Sequence, residues 1–355
     1  MSIRRPSIHI PLFPCGVGSL PQTDPDAAVA SVLQTYWRMP FWPQLPNRDP
    51  AEQMIPQAGL DLPGASWDGQ LLHWSGTPSD AALADVGLPP PERAAGLHAF
   101  IAALEAMPAD QRPTVIKGQI VGPLTLSMLT RDANGAAPHD DPQTLLWLAR
   151  LIGRAGAAQV QRLQELVPHV VLVFDEPALA SVEEPLLPLT WRATVEVLRE
   201  TLAPVQALGA IAGLHSCAPP DWTRVLKARP NLIHFDGREG RLDDLVEHKS
   251  ALREHVARGG YLGWGLWPTD FPKQPFDPKA MQYYLAKAAR EIAFVDASMG
   301  AIFKRSFLSG VCGGAGLTTD QASRMGAELE EMSMGIRKRY WIAATTDVDP
   351  DDPLS

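Results

Sequence analysis

Short apolar runs alternating with longer amphipathic stretches set the rhythm of this chain. Runs with strand character fall at 10–20, 41–45, 114–122, 170–176, 210–217, 231–236, 261–267 and 307–313. Between them, apolar positions recur at helical spacing over 24–37, 143–166, 190–207 and 278–295. A last helix is predicted to start near Thr318, with Thr319 or Asp320 as its cap. Strands that alternate with helices of this length point to βαβ units and a parallel sheet. Eight such runs predict an α/β fold closed into a (β/α)8 TIM barrel, a single catalytic domain over 1–345. Two stretches break the rhythm. Residues 46–91 are rich in proline and glycine, and read as a long insertion after the second strand, lying over the barrel mouth. Residues 346–355 are acidic with two prolines and are expected to be disordered.

Composition narrows the class. The 355 residues are 45% apolar and 20% charged, as in ordinary globular proteins, and suffice for a large core without disulfide or metal staples. A net charge of −9 argues against a nucleic-acid surface. No run approaches the roughly 18 apolar residues that a membrane helix requires. Pro6, Pro11 and Pro14 interrupt the N-terminus, so no signal peptide is expected there. Three cysteines, Cys15, Cys217 and Cys312, are too few and too odd in number for a disulfide framework, and fit a reducing cytoplasm.

Four motifs carry candidate chemistry. His215-Ser216-Cys217 closes one apolar run. Alternate strand residues share a face, so His215 and Cys217 point the same way. Cys312 closes another run, ahead of Gly313 and Gly314. Each thiol alone fits a small buried core residue. Together, two strand-end cysteines and a histidine in one barrel mouth make a soft donor set that favours Zn2+ and leaves one position for substrate. Asp175-Glu176 ends a third run; these acids fit either recognition of a substrate cation or a helix cap or salt bridge. Val17-Gly18-Ser19-Leu20-Pro21 fits either an anion-binding backbone nest or an ordinary turn. Trp37, Phe41, Trp42 and Trp67 read as core or lid packing, and Cys15 as packing. His73, His98, His139, His248 and His255 read as surface residues.

In this order the motifs resemble the C-terminal catalytic barrel of cobalamin-independent methionine synthase, over nearly the whole chain. Gly18-Ser19-Leu20-Pro21-Gln22-Thr23 is similar to that family's Gly-Ser-Phe-Pro-Gln-Thr, and Gly122-Pro123-Leu124-Thr125 to its Gly-Pro-Val-Thr. Asp175-Glu176-Pro177-Ala178-Leu179 matches Asp-Glu-Pro-Ala-Leu, His215-x-Cys217 the His-x-Cys zinc pair, and Cys312-Gly313 the distal Cys-Gly. The resemblance implies zinc on His215, Cys217 and Cys312, with the family's strand-end acid falling on Asp236 or, alternatively, Glu239. It further implies that Gly18 and Ser19 hold the substrate carboxylate and Asp175 its amine. The family's catalytic histidine falls at or near Asp270, where an acid is expected to relay a proton. The family's His-Gly-Glu segment has no counterpart near Pro43-Gln44-Leu45-Pro46-Asn47-Arg48.

The chain has no room for the N-terminal barrel of long family members. It resembles the short single-barrel forms, which take methyl from methylcobalamin, another methylated corrinoid, or a corrinoid protein. The implied reaction methylates a small-molecule thiol, homocysteine, to give methionine. A corrinoid-linked zinc methyltransferase acting on another thiol or donor, and a decarboxylase of the uroporphyrinogen type, share the architecture. Stoichiometric zinc separates the decarboxylase, which needs no metal. A purely structural zinc protein would need a closed four-ligand site.

Overall fold

The computed structural model describes residues 8–238, 240–270, 276–294 and 297–347. Its strands are β1 (Phe13–Pro14), β2 (Ser66–Trp67), β3 (Leu72–His73), β4 (Val115–Val121), β5 (Thr130–Arg131), β6 (His169–Asp175), β7 (Ile211–Ser216), β8 (Leu232–Asp236), β9 (Tyr261–Trp267) and β10 (Ser306–Gly310). Seven of them form one curled parallel sheet, ordered β1-β10-β9-β8-β7-β6-β4. The strands are largely apolar because both sheet faces are covered: every residue of β4, β7, β8, β9 and β10 is buried.

The expected eighth strand at 41–45 is corrected. Pro40, Pro43 and Pro46 have no N–H to give to a ladder. What remains is two single bridges, Phe41 to Lys117 of β4 and Gln44 to Ser19. The Trp42 N–H donates to the Lys117 carbonyl at 3.3 Å and the Lys117 N–H to the Pro40 carbonyl at 2.8 Å. On the other side, Gln44 N–H donates to the Gly18 carbonyl and Leu20 N–H to the Gln44 carbonyl, both at 3.0 Å. The Gln119 side-chain amide reaches the Trp42 carbonyl at 2.9 Å and stands in for a missing backbone donor. The result is a TIM-like barrel of seven strands that is not fully closed, with a seam where the second strand would lie.

Helices form where the periodicity placed them, at Pro25–Thr35, Pro142–Gln164, Trp191–Ala207 and Pro278–Ile292. Asp24, Asp141, Thr190 and Asp277 cap them by accepting first-turn N–H bonds. The last helix, Thr319–Arg339, is capped by Thr318 rather than by Thr319 or Asp320. Its hydroxyl accepts from Gln321 N–H, while the Gln321 side chain accepts from Thr318 N–H.

Within 46–91, β2 and β3 form a hairpin, and β3 pairs with β5 just beyond the C-terminal end of β4. The short helix Met54–Gly59 sits tightly beside it: a Cβ on Gly59 would lie 2.4 Å from Leu72 and 3.1 Å from Leu126. Of the acidic tail, Thr346 accepts from the His9 N–H at 3.1 Å, and residues 348–355 lie outside the described ones. Two side-chain expectations, His255 at the surface and Trp37 in core or lid packing, are corrected. His255 is buried beneath Gly260, and its ring donates to the Tyr261 carbonyl at 3.1 Å. Trp37 is 58% exposed, whereas Phe41 and Trp42 are core. No helix among the described residues is long and apolar enough to cross a membrane.

Candidate metal centre at the strand ends

Parallel register lines up the chemistry. Asp175, His215 and His234 are successive partners across β6, β7 and β8. Cys217 follows the end of β7, where Pro219 and Pro220 stop the strand. Cys312 lies two residues beyond β10, past a register shift between Ser309 and Gly310. One ligand atom each from His215, Cys217 and Cys312 lie within 4.8 Å of one another. His215 is buried, Cys217 half-buried and Cys312 exposed. Neither ring nitrogen of His215 meets hydrogen-bond geometry with a partner, though the ring lies close enough to the Cys312 thiol to favour its thiolate. A buried imidazole with neither nitrogen satisfied is costly, and a metal ion is one ligand that would satisfy it.

The two thiols interact. Their closeness draws the Cys217 thiol down to about 7. The same contact, helped by burial, pushes the Cys312 thiol up. A bound cation favours the thiolate form of both, and this donor set suits zinc. Thr269, which sequence reasoning missed, clasps Cys312 from β9's side. Its hydroxyl accepts from the Cys312 N–H at 3.0 Å and donates to the Cys312 carbonyl at 3.2 Å.

Asp175 and Glu176 have different surroundings. Glu176 turns away and accepts from the N–H groups of Leu124 and Thr125 and the Thr125 hydroxyl, at 2.9, 2.8 and 2.7 Å. It caps the helix Pro123–Met128. Gly122 is needed there, because a Cβ would lie 2.2 Å from Glu176 Cδ. Asp175 is also buried, but its Oδ1 has no partner. Burial raises its pKa, while His215 and Lys117 pull it back.

The turn at 18–19 docks directly against Cys312's loop. The Ser19 carbonyl accepts from Gly314 N–H at 2.8 Å, and a Cβ on Gly313 would lie 2.0 Å from Ser19 Oγ. Gly18 packs between Gln44 and Gln119; a Cβ there would meet both at 2.7 Å.

Asp236 and Asp270 go elsewhere. Asp236 is not in the His215–Cys217–Cys312 group; Arg238, two residues on, takes its carboxylate through Nε at 3.0 and 3.2 Å and Nη2 at 2.7 Å. The far edge of the same guanidinium takes Asp270 at 2.8 and 2.9 Å. Glu239, the alternative to Asp236, lies outside the described residues.

Two further interior groups were not singled out from the sequence. Lys117, the one basic residue in the β4 run, is fully buried and donates to the Val17 carbonyl and to Gln119 Oε1. Burial lowers its pKa, against attraction from Cys15 and Asp175. Cys15 is buried as expected for packing, and burial pushes its thiol up to about 12. His234 lies against His215, ring centroids 4.3 Å apart, with Nε2 2.6 Å from Ser309 Oγ.

No family model and no curated protein matches the chain. Among solved structures, a B12-independent methionine synthase from Shewanella sp. W3-18-1, in complex with selenomethionine, superposes with a TM-score of 0.63. The two share 13% identity, over 94% of this chain and 99% of that one. A putative fructose-1,6-biphosphate aldolase from Coccidioides immitis covers 69% of this chain at 13% identity with a TM-score of 0.27. At such identities the first likeness speaks for a shared barrel fold.

Proposed function

We propose that this chain is a zinc-dependent methyltransferase that methylates a small thiol, homocysteine, to give methionine, with methylcobalamin or another methylated corrinoid as donor. The observation that carries the reading is the meeting of His215, Cys217 and Cys312 within 4.8 Å, around an imidazole with neither ring nitrogen in hydrogen-bond geometry. These three residues would hold zinc, and bound zinc lowers the pKa of a coordinating thiol so that its sulfur is anionic at neutral pH. The remaining work falls to the chain's own groups. Asp175 Oδ1, buried and unpartnered, accepts the substrate ammonium. Gly18 and Ser19, docked on the loop behind Cys312, place the substrate carboxylate. Lys117 sits beneath Asp175 and offsets part of its charge before substrate arrives. The sulfur–carbon bond then forms as the donor–methyl bond breaks. The donor keeps the electron pair, and the thiol proton leaves to solvent.

A corrinoid protein as the donor's carrier, and a cytoplasmic setting, belong to the same proposal. The test is Cys312→Ser in the full chain, with zinc content measured beside methylation of homocysteine from methylcobalamin and, separately, from methyl-tetrahydrofolate. Zinc affinity is expected to fall about tenfold or more, and methylation with it. Full methylation by a zinc-free variant would sink the mechanism. Methylation from the folate alone would overturn the choice of donor.

A further inference from the structure

Asp236 stands at the end of β8, the strand next to β7, whose register sets Ser216 against Phe235 and so brings Asp236 level with Cys217. Its carboxylate is nonetheless occupied. Arg238 Nε and Nη2 engage both oxygens, and the Arg238 N–H adds a further bond to Oδ1 at 3.1 Å. The guanidinium is itself held from the other side by Asp270 through Nη1 and Nη2. Arg238 is thus pinned between two carboxylates, each bound by two nitrogens, and its side chain is only 22% exposed. Planar fork-to-carboxylate pairing of this kind is strong and fixes orientation.

From this we infer that Arg238 is a latch: held by Asp270, it keeps Asp236 out of the metal's ligand sphere, so that the fourth position stays open to the incoming thiol. The inference rests on the proposed zinc site and goes beyond it. It has an electrostatic consequence. Two thiolates and a neutral imidazole balance a divalent ion, whereas an added carboxylate would bring one more negative charge and repel an anionic sulfur. The pairing also accounts for two strand-end acids where the metal needs neither. They hold Arg238 in place, and Asp270 is a positioning residue rather than a proton relay.

The probe is metal alone. Stripped full-length protein is titrated with zinc against a chromophoric chelator, and with cobalt(II) for its visible spectrum. In the wild-type background, Asp236→Asn should change zinc affinity by less than about threefold and leave the cobalt spectrum unaltered, because the carboxylate is not a ligand. Arg238→Met should free Asp236 to join the metal. Zinc then binds about tenfold tighter or more, and the cobalt spectrum shifts. Adding Asp236→Asn to Arg238→Met should restore the wild-type spectrum, which a general loss of packing would not do. If Asp236→Asn alone weakens zinc by about tenfold or more, the carboxylate is a ligand and the latch is overturned, while the zinc site stands. If Arg238→Met leaves affinity and spectrum unchanged, the latch is likewise overturned. A wild-type chain that takes up no zinc would sink the parent reading and this one together.

Discussion

At the scale of single residues, the adjacent acids Asp175 and Glu176 differ in their surroundings, one fully bonded and one with an unpartnered oxygen. Glu176 meets three donors, and although burial pushes its carboxyl up to about 7, those bonds hold the loop after β4 to the end of β6. Glu176→Ala would strand two buried N–H groups and a hydroxyl, at a cost of about 3 kcal/mol. Glu176→Gln should cost clearly less, since its amide oxygen still accepts. Urea unfolding of the two variants checks the ordering. Sequence could not assign these roles, because both acids close the same apolar run and only the side-chain directions tell them apart. The His-x-Cys spacing and the distal cysteine were legible, since each sits where an apolar run meets a chain breaker. Thr269 was not, because its part is played through the backbone of Cys312, 43 residues away.

Among the elements, the strands of the sheet were readable wherever apolar residues run unbroken, as in Val170–Phe174. The seam at 41–45 was not, because an apolar run with Pro43 inside it carries the hydrophobic signal of a strand without the donors of one. The expected outcome is local. Amide hydrogen exchange at Trp42 and Gln44, whose bonds flank the seam singly, should be faster than at Val171–Val173 in the centre of β6. Equal protection would mean that the seam is as firm as the sheet. Lys117 lies in the neighbouring strand, and its ammonium donates across the seam to the Val17 carbonyl.

For the molecule as a whole, stability against acid should carry the mark of His255. Burial holds its imidazole down to about 4, against 6.5 for the ordinary ring. Between those values the unfolded chain takes up a proton that the native one refuses. Stability is therefore full above about pH 6.5 and is lost as pH falls toward 4, by about 3 kcal/mol from this group. His255→Gln, which can still donate to the Tyr261 carbonyl, should remove that part of the pH slope in unfolding measured at pH 5 and pH 7.5. An unchanged slope would assign the acid lability elsewhere. The sequence pointed His255 to the surface because its helix, Lys249–Ala257, is largely polar. The ring lies on the same side as Leu252 and Val256, and Gly260 leaves the space that it fills.

The contact between Cys217 and Cys312 has a practical side for anyone handling this protein. Two neighbouring thiols, one of them exposed, form a pair that a two-electron oxidant can join as a disulfide, with loss of one proton from each thiol. Occupancy of the centre would protect them by tying up both sulfurs. Stripped material therefore belongs under a reductant and away from air, or the catalytic question will be put to a crosslinked chain.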